Sequence, residues 1–179
     1  MKKQLIISVF IFISSLLAYF GFQIYQKIEA KKAFTEQVKH LPKPSVFQWI
    51  GKSPTTNNTS TIILFFSPDC EHCQYEAKSI VEQKVAFTNI NLWWVSVADS
   101  VAIKAFSKTY GLENLPNTYL AHLSAEEVAP TFGSVSVPHI FIYDKNRLLQ
   151  KEFKGETKVE ALLKAPEASV ALPPDGRIK

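Results

Sequence analysis

Cysteine is scarce in this sequence: two among 179 residues, Cys70 and Cys73. No second Cys or Cys/His pair stands at the spacing that a four-ligand structural zinc needs, so such a site is excluded. Gln74 rather than histidine follows Cys73, and the c-type haem attachment signal is absent with it. Excess charge is lacking too. The formal net charge is +4, but Lys2, Lys3 and Lys27 supply three of the 20 basic residues and none of the 16 acidic ones, which leaves +1 from Ile28 onward. That is no electrostatic footprint for nucleic acid. There is no internal repeat and no long low-complexity tract. With 46% hydrophobic and 20% charged residues, the chain can bury a core and lacks the weak hydrophobicity of a disordered protein. Its length suits one domain with an appendage.

The appendage is at the start. Leu5 to Phe22 is a run of 18 uncharged residues preceded by Lys2 and Lys3, at the lower edge of what spans a bilayer as a helix. The run is long for a signal-peptide core, and Gly21-Phe22-Gln23 is a poor small-x-small cleavage site. The expectation is an uncleaved anchor over 1–27. Lys27, Lys31 and Lys32 balance the amino-terminal lysines, so charge alone does not orient it.

Ala30 to Leu41 has helical spacing and ends before Pro42 and Pro44, giving a juxtamembrane helix and linker over 28–44. The folded domain is expected over 45–165 and a loose Pro-containing tail over 166–179. Within the domain, "TIILFF", Thr61 to Phe66, reads as a central strand, and a helical pattern runs from Cys70 to about Lys84. "NINLWWVSV", Asn89 to Val97, is a second buried strand. Asp99 caps a helix that runs to Tyr110 before Gly111. Ser124-Ala-Glu-Glu opens a short helix as a capping box, broken near Pro130. His139 to Phe153 is a hairpin around Asp144 to Arg147, and Thr157 to Ala165 is a closing amphipathic helix. Strands alternating with helices predict an α/β sheet with helices on both faces.

A disulfide between Cys70 and Cys73 would close a four-residue loop, and so small a loop stabilises by less than the ~3 kcal/mol of a 15-residue one. Placement points to redox work instead. Cys70 sits where a buried strand hands over, through Ser67-Pro68-Asp69, to a helix. The amino end of that helix offers unpaired N–H groups and the positive end of its dipole, which favour a nucleophilic thiolate. Cys73, one turn in, is expected to be less exposed. That division suits an attacking and a resolving thiol.

From about Val46 to Ala165 the chain resembles thioredoxin-fold proteins, and more narrowly the membrane-anchored TlpA/ResA-type thiol-disulfide oxidoreductases. "FFSPDCEHCQYE" and "VSVPHIFIYDKNRLLQKEFKG" carry the resemblance. It implies a thioredoxin-like fold with a central mixed sheet, a redox-active disulfide as the only cofactor, and a cis-proline at Pro138 lying against the cysteines. It also implies an active-site glutamate at Glu76. Cys70, Cys73, Glu76 and Pro138 are then the catalytic candidates, with Glu71, His72 and Val137 modulating. Leu64 stands where many thioredoxins carry a buried aspartate, which leaves Glu76 as the substitute proton acceptor. A protonated His72 favours the thiolate, whereas Asp69 and Glu71 oppose it, so these residues leave the direction of electron flow open. The resemblance at Glu71 and Glu76 leans to a reductant.

The same resemblance, with the anchor, implies a single-pass protein of the bacterial inner membrane whose domain is extracytoplasmic. Its partners would be disulfide-containing protein substrates and a transmembrane dithiol electron donor, with no metal and no nucleic acid. Trp93 and Trp94 read as core residues, and His40 and His122 as ordinary surface or half-buried histidines. His139 follows Pro138 and matters most to a rival reading, a copper(I)-binding module in which the two thiolates are joined by His139 or His72.

Overall fold

A computed structural model describes residues 2–55 and 58–167, except for the side chains of 2–6, 8–10, 166 and 167. The expected tail therefore lies almost wholly outside the described residues. The chain divides into two units, Met1–Gln37 and Val38–Lys179. The first is one helix, α1, which continues without a break over Lys2–Val38. Ile11, Phe12, Leu16, Leu17, Phe20 and Phe22 are among its exposed apolar side chains. Among the described residues no helix is long and apolar enough to cross a membrane. The uncharged run, however, includes residues whose side chains lie outside the description.

The second unit is built on six strands: β1 (Gln48–Ile50), β2 (Thr61–Phe65), β3 (Asn91–Ser96), β4 (Thr118–His122), β5 (His139–Tyr143) and β6 (Leu149–Lys154). Their order is β1-β4-β3-β2-β5-β6. β2, β3 and β4 run parallel, while β1, β5 and β6 each lie antiparallel to a neighbour. The apolar, β-branched stretch at β2 is buried along its whole length, as suits a strand covered on both faces. Ile62 and Leu64 turn to one face, where Cys73, Ala77 and Ile80 of α2 (Glu71–Glu82) join Ile103 and Phe106 of α3 (Ser100–Tyr110). Leu162 of α5 (Val159–Glu167) packs into the same cluster. The opposite face is aromatic. Phe65 and Phe141 meet Phe132 of α4 (Ala125–Phe132) at 6.1 and 5.0 Å between ring centres, and Trp93 meets Phe47 and Trp49.

Two strands have no counterpart in the sequence reading, β1 and β4. β1 is three residues long, too short to show alternation, and β4 draws its support from β3 on one side and β1 on the other. The caps divide. Asp99 Oδ1 accepts from the amides of Val101 and Ala102, both at 2.8 Å, and Gly111 ends α3 at φ 71°. Ser124 precedes α4 in extended conformation but its side chain makes no capping bond, so the expected capping box is not formed. The helix ends at Phe132, two residues past Pro130, in keeping with the expected break near the proline, whose missing N–H removes one helical bond, to the carbonyl four residues before it.

Candidate functional site

The Ser67-Pro68-Asp69 turn delivers Cys70 to the amino end of α2 as its N-cap, at φ −83° and ψ 116°. Its own amide reaches Ser67 O at 3.1 Å, and its carbonyl accepts the first helical bond, from the Gln74 amide at 3.0 Å. Gln74 holds the turn from the other side through Nε2 to Pro68 O, 3.0 Å. Both cysteines are free thiols. Cys70 is half-buried, and its sulfur accepts the Cys73 amide N–H at 3.4 Å. An N-cap side chain ordinarily supplies an oxygen for this bond; here the acceptor is the sulfur itself.

Cys73 lies one turn inside and is fully buried, packed with Leu64 and Ile140. Burial pushes its thiol up to about 12, and the hydrogen bond to Cys70 and the charges of Cys70 and Glu76 add to that. Glu76 follows on the same helical face. It is 1% exposed. Its Oε2 accepts the Thr157 amide N–H at 2.9 Å, whereas Oε1 is buried without a partner. Burial raises the Glu76 carboxyl to about 7, with Glu156 adding repulsion and the Thr157 N–H opposing the rise. A carboxyl group so tuned changes charge within the range where a base for a thiol is useful.

The strand β5 brings the rest. The Val137–Pro138 peptide is cis, and the Cys70 thiol lies 3.9 Å from the Val137 carbonyl oxygen as a hydrogen-bond donor. Pro138 O accepts from the Gly155 amide at 2.8 Å, which ties this loop to the segment that carries Thr157. His72 Nδ1 pairs with Glu156 Oε2 at 2.9 Å at the surface, and Glu71 is exposed in the first turn of α2. Cys70, Cys73, Glu76, Val137 and Pro138 thus gather at one end of the sheet.

His139 does not join them. Ile140 packs with Cys73, so the adjacent His139 faces the other side, stacked on Phe141 at 4.3 Å and paired with Glu152 at 2.9 Å. Burial pushes its imidazole below the usual range. Among the described residues no group of three or more His, Cys, Asp or Glu side chains is placed to hold a metal ion. Trp93 and Trp94 are buried on opposite faces, as core residues. His122 is half-buried with Nδ1 2.8 Å from Ala98 O, and His40 forms an isolated bridge to Leu148. Thr157 and Glu156, which shape Glu76, were not anticipated. A backbone amide carries no side-chain signature, and no local spacing links either residue to α2.

The model of the AhpC/TSA family matches residues 43–152. The chain belongs to that family. Solved structures agree in fold. A putative thioredoxin from Neisseria meningitidis is 19% identical with a TM-score of 0.58, over 74% of this chain and 90% of its own. StoA from Bacillus subtilis is 18% identical with a TM-score of 0.53, over 66% and 92%. A secreted Mycobacterium tuberculosis disulfide oxidoreductase homologous to E. coli DsbE is 16% identical with a TM-score of 0.54, over 74% and 98%. At these identities the likeness is one of fold, a thioredoxin-like α/β sheet flanked by helices. No curated protein matches by sequence.

Proposed function

We propose that this chain is a thiol-disulfide oxidoreductase of the TlpA/ResA type, working through Cys70 and Cys73 and acting as a reductant of protein disulfides. One observation carries the reading: a half-buried thiol caps α2 and takes an N–H on its sulfur, while its partner thiol lies fully buried one turn inside. The Cys70 thiolate attacks one sulfur of a substrate disulfide, forming a mixed disulfide and expelling the other sulfur as a thiolate. Cys73 then gives its proton to Glu76 and attacks the Cys70 sulfur. The second substrate thiolate leaves, two electrons have passed to the substrate, and the Cys70–Cys73 disulfide remains. Val137 and Pro138 border the attacking sulfur, and His72 and Glu71 tune the field around it.

A reductant must be recharged, and for a pair of thiols exchanging disulfides outside the cytoplasm a transmembrane dithiol donor is the partner that fits the reading. Exposed apolar side chains along α1 support the further proposal that this helix anchors the chain in the bacterial inner membrane, with the domain outside the cytoplasm, where disulfides persist. Insulin reduction and the reduction potential of the pair test the activity. A potential near ~-270 mV is expected of a reductant, whereas one near ~-120 mV would mark an oxidant. Tight copper(I) binding by the reduced chain without insulin reduction would favour the metal-binding reading instead. In intact spheroplasts, after reduction, an impermeant thiol reagent should label Cys70. Labelling only after lysis would put the domain in the cytoplasm.

A further inference from the structure

A groove of about 690 Å³ runs beside the redox helix, between α2 and the segment that joins β6 to α5. Its size is within the range of ligand sites. Tyr75 and Glu82 line one wall; Glu156, Thr157, Lys158 and Glu160 line the other. Three carboxylates therefore face a single ammonium. Neither Glu82 nor Glu160 has an ion-pair partner among the described residues. Tyr75 stands 57% exposed on the α2 wall, a large flat side chain of the kind that anchors polypeptide partners. The chain beyond Ile28 is nearly neutral, so this concentration of acid is local. A smaller cavity against α3 has the opposite character, with Lys52, Lys104 and Lys108 in its walls.

The groove is continuous with the redox site at two points. Glu156 pairs with His72, inside the Cys70–Cys73 motif, at 2.9 Å. Thr157, in the groove wall, gives its amide N–H to Glu76. We infer that this groove docks a basic, extended segment of the substrate polypeptide, beside the disulfide that Cys70 attacks. The inference rests on the redox reading above and names its substrate class: proteins with lysine or arginine flanking the target cysteines. A cation seated on Glu156 also competes with His72 for that carboxylate, so occupancy of the groove is felt within the motif.

The test uses the full chain and two peptides that share one disulfide and differ only in flanking residues, lysines in one and glutamates in the other. 2-Hydroxyethyl disulfide serves as a third, uncharged substrate. The expected kcat/KM favours the lysine peptide by about tenfold, the size that two or three surface ion pairs supply, and the preference shrinks as salt screens the charges. Glu82→Gln with Glu160→Gln should bring the ratio towards one, and Lys158→Glu should raise it. Equal rates on both peptides, or a preference unmoved by all three substitutions, overturns the docking site while reduction of 2-hydroxyethyl disulfide keeps the redox reading. Failure to reduce any of the three substrates overturns both.

Discussion

Thr157 and Glu76 stand 81 positions apart in sequence, and the amide N–H of the first donates to Oε2 of the second at 2.9 Å. The bond fixes one carboxyl oxygen beneath the redox pair and leaves Oε1, buried and unpartnered, as the place for a proton. Glu76→Gln keeps an acceptor for Thr157 and removes the base. Formation of the mixed disulfide by Cys70 should survive, while its resolution by Cys73 slows by about 100-fold, the low end of general-base effects. In the wild type the resolving step should quicken as pH rises through about 7, where Glu76 loses its proton. An exposed thiol would rescue the variant by pH 9, since it ionises near ~8.5. With Cys73 held at about 12, the defect should persist there. Stopped-flow decay of the mixed disulfide reads both effects, and identical decay at every pH would return Glu76 to a structural part.

The same carboxyl group bears on stability. Its native pKa, about 7, lies above the ordinary value of 4.5 for a glutamate, so the native state holds a proton that the unfolded chain releases first. Its contribution is therefore full below pH 4.5 and is lost as pH rises to about 7, by at most about 3 kcal/mol. Glu76→Gln should flatten this part of the stability curve and make the chain more resistant to urea at pH 8 than the wild type. Tryptophan fluorescence during urea unfolding at pH 5 and pH 8 measures it. A Gln variant with the wild-type pH slope would contradict the assignment.

The two cysteines should separate cleanly in trapping. Cys73→Ser leaves the half-buried nucleophile without its resolving partner, so mixed disulfides with substrate should accumulate on Cys70. Cys70→Ser leaves a thiol that is 0% exposed and should trap little. Mass spectrometry after a substrate pulse distinguishes them, and equal trapping by the two variants would remove the division of labour.

Away from the site, Asp99 holds two amides at the start of α3 with one oxygen. Asp99→Ala should cost about 1 kcal/mol, seen as a lower urea midpoint with an unchanged slope. Asp99→Asn should recover most of the loss. A midpoint unaffected by the alanine would mean that solvent satisfies these amides equally well.

What could be read from the sequence were the features set by neighbours along the chain. The strand at Thr61, the turn at Ser67-Pro68-Asp69, the helix over Glu71–Glu82 and the Asp99 cap depend on residues within one or two turns, and local patterning shows them. β4 and β1 depend on partners 26 and at least 70 positions away, where a short and mixed pattern carries little weight. His139 could have been placed from its own strand. With alternation through His139–Tyr143, a residue next to Ile140 must face away from whatever Ile140 faces, and so it cannot reach Cys73. The Ser124 capping box shows the reverse limit, since a matching motif formed the helix start without forming the side-chain bond.

One atom, the Cys70 sulfur, both closes the first turn of α2 and performs the proposed attack. Secondary structure and chemistry therefore share an electron pair. When that sulfur is bonded to another sulfur its lone pairs are weaker acceptors, and the bond from the Cys73 amide weakens with them. The backbone at the start of the helix thus carries a record of the oxidation state, and the Cys73 amide resonance is a natural gauge of it that requires no label on either thiol.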